Sequence, residues 1–178
     1  MNYKTIRLEI RDFDSNAWRD LQEMHMDFEN SDYCWYDAPQ NTDALSVQAE
    51  ARDLAQNALC YGIYRRNDPE MIGYLIFHDF TDFYDVGYEF KKKYQGCGYA
   101  LEALGCTISA VNRMRGICRF TARTAEYNLP SIRLLERAGF IRTGERRQQL
   151  RCDEDGNPVS FTALVYVLAL PEPDGGCH

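Results

Sequence analysis

At 178 residues and 45% hydrophobic side chains, the chain is the size of one domain with enough apolar mass for a sizeable core. A formal charge of −7 argues against a large nucleic-acid footprint, and the lack of any apolar run of roughly 18 residues argues against a membrane span. Seven cysteines, an odd number with no Cys-x-x-Cys pair and no leader-like start, point to reduced thiols in a cytoplasmic protein, and the histidines, His25, His78 and His178, are too scattered to suggest a metal site.

From the N-terminus, Ile6, Leu8 and Ile10 alternate with Arg7, Glu9 and Arg11, so Thr5 to Phe13 is expected to be a half-buried strand. Asp14 or Ser15 offers an N-cap to a first helix whose inner face is Trp18, Leu21, Met24 and Phe28. The irregular stretch Glu29 to Asn41 carries Tyr33, Trp35 and Tyr36 and closes on Pro39. Its rings either pack a long loop onto the core or wall a pocket. Thr42 is expected to cap a second helix with a stripe of Val47, Ala51, Leu54, Ala55 and Ala58. Strands follow at Leu59 to Tyr64 and Met71 to Phe77. The turn-rich link from Arg65 to Pro69 makes them an antiparallel hairpin. A third strand, Phe83 to Phe90, runs into the lysine- and glycine-bearing segment Lys91 to Ala100. A helix with Leu101, Leu104, Ile108 and Val111 on one face leads out and ends at Arg115-Gly116.

Ile117 to Thr124 is expected to be the next strand. A short helix follows, capped by Asn128, with Pro130 in its first turn and Gly139 at its end. Arg142 to Arg151 forms a polar strand, Asp155 to Pro158 a turn, and Phe161 to Leu170 a last strand apolar on both faces and therefore interior. Pro171 to His178 is expected to be a loose tail. No repeat or linker divides the chain, so residues 1–178 form one domain with its core over about 5–170.

The chemistry concentrates where strand meets helix. A glycine loop there turns backbone N–H groups toward one point, and the helix adds its own unpaired N–H groups and positive dipole end. Such a site suits a phosphate or pyrophosphate. Gln95-Gly96-Cys97-Gly98-Tyr99-Ala100 fits Q/R-x-x-G-x-G/A. No Gly-Lys-Ser/Thr follows, which excludes a Walker loop, and the spacing excludes the dinucleotide fingerprint.

That string resembles the coenzyme A loop of the GNAT superfamily of acyltransferases. The order of elements over nearly the whole chain is similar too: strand, two helices, three strands, loop and helix, strand, short helix, two strands. Asp85-Val86-Gly87-Tyr88 before the loop, Asn128 and Ser131, and Ala138-Gly139-Phe140 resemble the branch that acetylates ribosomal-protein N-termini. The resemblance implies an α/β fold: a mixed, mostly antiparallel sheet with one splayed parallel strand pair, flanked by helices. It implies transfer of an acetyl group from acetyl-CoA to a primary amine, on a small molecule or a protein N-terminus, without metal, nucleic acid or membrane, in a monomer or homodimer.

It also implies roles by position. Gln95, Gly96, Cys97, Gly98, Tyr99 and Ala100 would hold the pyrophosphate. Backbone groups near Tyr88 and Phe90 would pair with the pantetheine arm, and one free N–H there would bind the oxyanion. Asn128 would contact the cofactor arm near its sulfur. Asp85 foremost, or Glu89 on the same strand face, would free the amine of its proton or hold its charge. Relatives often carry a tyrosine where this chain has Leu135, so protonation of the leaving thiolate passes to Ser131, Tyr127 or water. Ser131 equally suits a first-turn hydrogen bond. Cys97 replaces a frequent Lys or Arg, and Lys91, Lys92 and Lys93 either compensate by steering the anion or are a solvated, charged strand end. Leu135 and Cys97 also fit a second reading, an acyl-CoA-binding domain that senses or scaffolds without turnover.

Overall fold

The N-terminal alternation folds as a hairpin rather than one strand. In the computed structural model, which describes residues 2–172, β1 (Asn2–Lys4) pairs antiparallel with β2 (Leu8–Asp12). The Thr5 hydroxyl accepts from Leu8 N, and Thr5 N donates to Leu8 O, each at 2.9 Å. That turn throws Ile6 into solvent, 89% exposed, while Leu8 and Ile10 keep their places in the core.

Helix α1 (Trp18–Glu29) follows a 3₁₀ turn that Asp14 caps, and α2 (Ala44–Gln56) is capped by Asp43 rather than Thr42. Asp43 fits because its carboxylate reaches Ser46 N at 2.9 Å. Of the expected α2 stripe, Val47 and Ala51 are buried, but Ala55 and Ala58 are exposed at the end of the helix and beyond it. Then come β3 (Cys60–Arg65), β4 (Met71–Phe80), β5 (Phe83–Phe90), α3 (Tyr99–Arg115), β6 (Arg119–Ala125), α4 (Leu129–Arg137), β7 (Ile141–Cys152) and β8 (Pro158–Ala169).

All eight strands make one sheet in the order β1-β2-β3-β4-β5-β6-β8-β7. Every neighbouring pair is antiparallel except β5 and β6. β8 is interior, as its two apolar faces require. One sheet face, with Leu8, Ile10, Ile63, Leu75 and Val86, packs on Leu104, Ile108 and Val111 of α3 and Leu135 of α4. The other packs Cys60, Tyr64 and Met71 against Leu21 and Met24 of α1 and Val47 and Ala51 of α2.

The parallel pair is short. β5 and β6 are in register only at Tyr84 with Phe120 and Asp85 with Thr121. Beyond Asp85 the two strands diverge, while β5 stays paired with β4 as far as Phe90. Val86 to Phe90 therefore present one open backbone edge in the middle of the sheet. Cys34, Cys60, Cys97, Cys106, Cys118 and Cys152 are free thiols. No helix among the described residues is long and apolar enough to cross a membrane. The expected loose tail falls mostly at residues 173–178, outside the described residues, as do Cys177 and His178.

Candidate active site

The glycine loop has the conformation its sequence demands. Gly96 and Gly98 take φ of +73° and +79°, the left-handed region that side chains disfavour, and Gly98 is the N-cap of α3. The first helical bond is Glu102 N to Gly98 O at 3.2 Å. The N–H groups from Gly96 to Leu101 have no acceptor among the described residues, so six donors are free beside the positive end of the α3 dipole. Gln95 braces the loop by donating from Nε2 to Phe90 O at 2.9 Å.

A residue missed in the sequence holds the far side of the loop. Arg7, in the β1–β2 turn, donates to Cys97 O at 3.0 Å and to Glu102 Oε2 at 2.7 Å, with its guanidinium 4.7 Å above the Tyr99 ring. It brings a cation to the segment where Cys97 lacks one. Lys91 and Lys93 are engaged elsewhere. Lys91 is wholly buried, and its ammonium lies 2.5–2.8 Å from Asp20, Glu23 and Glu70. Lys93 pairs with Glu23 and Glu70 as well. Both point at α1 and the β3–β4 turn, because three carboxylates there outweigh what a solvated loop offers. Burial would raise Glu70, but hydrogen bonds from Lys91, Lys93 and Tyr94 override it and hold that carboxyl at about 2.

The two carboxylates of β5 share the α1–α2 face, as the two-residue period requires, but have different partners. Asp85 sits at the last paired position. Its oxygens take Thr121 Oγ1 at 2.7 Å and Arg123 Nη2 at 2.9 Å, so it clamps the start of the parallel pair. Glu89 sits beyond the divergence, with its side chain only 12% exposed. One oxygen meets Tyr74 Oη at 3.4 Å and lies 3.9 Å from His25 Nε2. The other, Oε1, is buried with no hydrogen-bond partner among the described residues. Burial pushes the Glu89 carboxyl up to about 8, with only partial relief from Tyr74 and the Gln40 side chain.

A cleft of about 570 Å³ is lined by Tyr74 and His25, the two neighbours of this carboxylate, and by Asp37, Gln40, Glu50 and Asp53 among others. Of the two expected uses of the aromatic rings the structure shows packing, by Tyr36, whereas none of Tyr33, Trp35 and Tyr36 lines the cleft. Tyr36 packs on Phe161 and on Tyr127, at ring separations of 5.9 and 4.7 Å, and residues 37–41 line the cleft. Arg151 of β7 fixes that segment by gripping both oxygens of Glu29 and donating to Asp37 O and Ala38 O.

On the opposite sheet face, Tyr88 Oη and Ser131 Oγ are 2.7 Å apart, bridging β5 to α4 across the divergence. Burial pushes the Tyr88 phenol up to about 12, and the Ser131 bond offsets only part of that. Asn128 caps α4, its Oδ1 accepting from Ser131 N at 3.1 Å. Leu135 is fully buried in the core, Tyr127 is 53% exposed, and Cys97 is exposed with its thiol near Gln95 O. Phe90 is buried and contributes backbone to the open edge, while the Tyr99 ring packs on Arg7.

Comparison with known proteins agrees with this geometry. Residues 7–141 match a family model described as an acetyltransferase (GNAT) domain. YnaD of Bacillus subtilis strain 168, an uncharacterized N-acetyltransferase, is 26% identical over 146 residues, covering 81% of this chain and 85% of that protein. The ribosomal protein uS5-alanine N-acetyltransferase of Escherichia coli K12 is 31% identical over 114 residues, covering 61% of this chain and 58% of its own length. The crystal structure of a GNAT-family acetyltransferase from Bacillus anthracis superposes with a TM-score of 0.78 at 23% identity, over 95% of this chain and 98% of that one.

Proposed function

The chain belongs to the acetyltransferase (GNAT) domain family, and from that premise we propose that it moves the acetyl group of acetyl-CoA onto a primary amine by direct attack with both substrates bound. The acceptor is a small molecule or a protein N-terminus; one relative of the chain is a ribosomal protein uS5-alanine N-acetyltransferase. The observation that carries this reading is Glu89: a buried carboxyl with one unpartnered oxygen, beside a cleft and just past the point where β5 leaves β6.

The residues fit the donor. Six loop and helix N–H groups from Gly96 to Leu101 suit a pyrophosphate, and the open edge from Val86 to Phe90 suits an amide-bearing arm laid down as an added strand. One N–H of that edge would bind the oxyanion formed on attack. A primary amine arrives protonated and must lose a proton to gain a lone pair. Glu89 takes it, because Asp85 is committed to Thr121 and Arg123. Asp37, Glu50 and Asp53 on the cleft walls favour an ammonium over a neutral or anionic acceptor. With Leu135 in the core, the proton for the leaving thiolate comes from the Tyr88–Ser131 pair.

Release of free thiol from acetyl-CoA, measured over a panel of small amines and short N-terminal peptides, tests the proposal. Turnover with at least one amine is expected. A folded protein that binds acetyl-CoA but releases no thiol beyond background would favour the second reading, an acyl-CoA-binding domain without turnover, to which the buried Leu135 points.

A further inference from the structure

We propose that His25 is a positioning residue that takes the proton from Glu89 and passes it to Glu50 and water, so that Glu89 is ionised when an amine arrives. The inference rests on the reading of Glu89 as the base.

His25 lies on the buried face of α1, one turn after Leu21, and is 1% exposed. A histidine there is ordinarily a satisfied core residue, and one nitrogen is satisfied: Nδ1 is 2.9 Å from Asn41 O. A carbonyl oxygen only accepts, so Nδ1 carries a hydrogen. In the neutral ring Nε2 is then a bare lone pair. Its neighbours are Glu50 Oε1 at 3.7 Å and Glu89 Oε2 at 3.9 Å. A lone pair buried between two carboxylates is repelled by both unless a proton lies between them. His25, Glu89 and Glu50 therefore share one proton among three acceptor sites.

The remaining groups facing this cluster do not supply it. From β4 comes the Tyr74 hydroxyl, spent on Glu89. From the 37–41 segment come Asp37 and Gln40, and from α2 comes Asp53. On α1 itself Glu29 is gripped by Arg151, which removes the nearby guanidinium from play. Glu50 has 34% of its side chain exposed and lines the cleft, so the cluster has an outlet to water.

The proton count closes. The ammonium gives one proton to the ionised Glu89. That same proton passes from Glu89 to His25 Nε2, and from there to Glu50 and solvent. Nδ1–H stays on Asn41 O throughout, and Glu89 returns to the carboxylate. Each gap exceeds a hydrogen bond by about 1 Å, which side-chain motion or one water closes when a substrate fills the cleft.

The test compares wild type, His25→Gln, His25→Ala, Glu50→Gln and Glu89→Gln. Thiol release is followed from pH 6 to 10 with the best amine of the panel, and acetyl-CoA binding by calorimetry. His25→Gln is expected to lower kcat at pH 7 at least tenfold and to move the rising limb about one unit to higher pH, with acetyl-CoA affinity within twofold and partial rescue of His25→Ala by external imidazole. Glu50→Gln moves the limb the same way, and keeps the proposal testable if His25 variants fail to fold. A His25→Gln profile that superimposes on wild type overturns the proposal. So does a uniform loss with an unmoved limb and no imidazole rescue. If Glu89→Gln keeps the wild-type rate and limb, the base reading itself fails. If Glu89→Gln abolishes the limb while His25→Gln leaves it in place, only the His25 role fails. Without any amine, ¹⁵N spectra provide a separate readout: the His25 Nε2 resonance should move on Glu89→Gln, and an unchanged resonance would refute proton sharing.

Discussion

Glu89→Gln should inactivate the protein and stabilise it, and the second effect should depend on pH in a defined direction. The folded carboxyl titrates at about 8, against an ordinary value of 4.5. A group raised in this way contributes its full share to stability below the unfolded pKa. It loses that share as pH rises toward the folded value, since the unfolded chain ionises first. At ~1.4 kcal/mol per unit, the buried acid costs the wild type about 3 kcal/mol by pH 7 and approaches about 5 above pH 8. Glutamine keeps the shape and the Tyr74 contact but does not ionise. Urea unfolding at pH 4 should therefore give nearly equal stabilities, whereas at pH 8.5 the variant should be ahead by a few kcal/mol. Thiol release should meanwhile fall by ~10²-fold or more, the usual value of a general base, and the limb near pH 8 should vanish. Equal stabilities at both pH values, or a kcat within threefold of wild type, would refute the reasoning.

Three other perturbations probe the frame around this carboxyl. Gly98→Val forces a β-branched residue to a φ of +79°, where its Cβ meets only Arg7 Nη2, at 3.4 Å; calorimetry should show acetyl-CoA affinity at least tenfold weaker in a protein that still melts cooperatively, and wild-type affinity would mean the phosphate site lies elsewhere. Arg7→Ala releases Cys97 O and Glu102 together; the acetyl-CoA Kd should rise about five- to tenfold, with a smaller change in kcat. Lys91→Met removes the buried cation from between Asp20, Glu23 and Glu70, leaving only the half-exposed Lys93 on the latter two, and should cost ~3–5 kcal/mol at pH 7. Glu70 is depressed to about 2, so its contribution in the wild type is present above pH 4.5 and is lost as pH falls toward 2; the deficit of the variant should shrink over the same window in denaturant titrations.

The parts of this molecule legible in the sequence are those set by short-range rules. β5, the loop and α3 follow from an apolar run, two glycines and a helical stripe, and the strand bounds Phe83–Phe90 match. What failed were choices that local chemistry leaves nearly even. Ile6 suits a strand by alternation, yet the Thr5 hydroxyl offers the backbone a turn, and hydrogen bonding prevails over an 89% exposed isoleucine. Thr42 and Asp43 are both cap residues, and only the chain path decides between them. The lysine triplet reads as one positive patch, but Lys91 points inward because carboxylates from two distant segments, Asp20 with Glu23 and Glu70, converge on it.

The contrast between Asp85 and Glu89 reaches further. Period two puts both on one face and cannot separate them, because what separates them is where β6 stops following β5. That register is fixed by contacts between residues more than thirty positions apart, Asp85 with Thr121. Asp85 belongs to the closed part of the sheet, and its charge is spent on holding two parallel strands together. Four residues on, the same strand has lost that neighbour, and Glu89 keeps an oxygen for which the described residues offer no hydrogen-bond partner. The divergence that opens a backbone edge for a donor arm thus also leaves a carboxyl beside it without its structural partners. Moving the divergence should exchange the roles. Thr121→Val with Arg123→Met strips Asp85 of both clamps. If β5 geometry alone assigns the chemistry, Glu89→Gln in that background should recover part of its lost rate through the freed Asp85. If no rate returns while the double variant remains folded, proximity to the cleft, and not freedom from partners, is what selects the base.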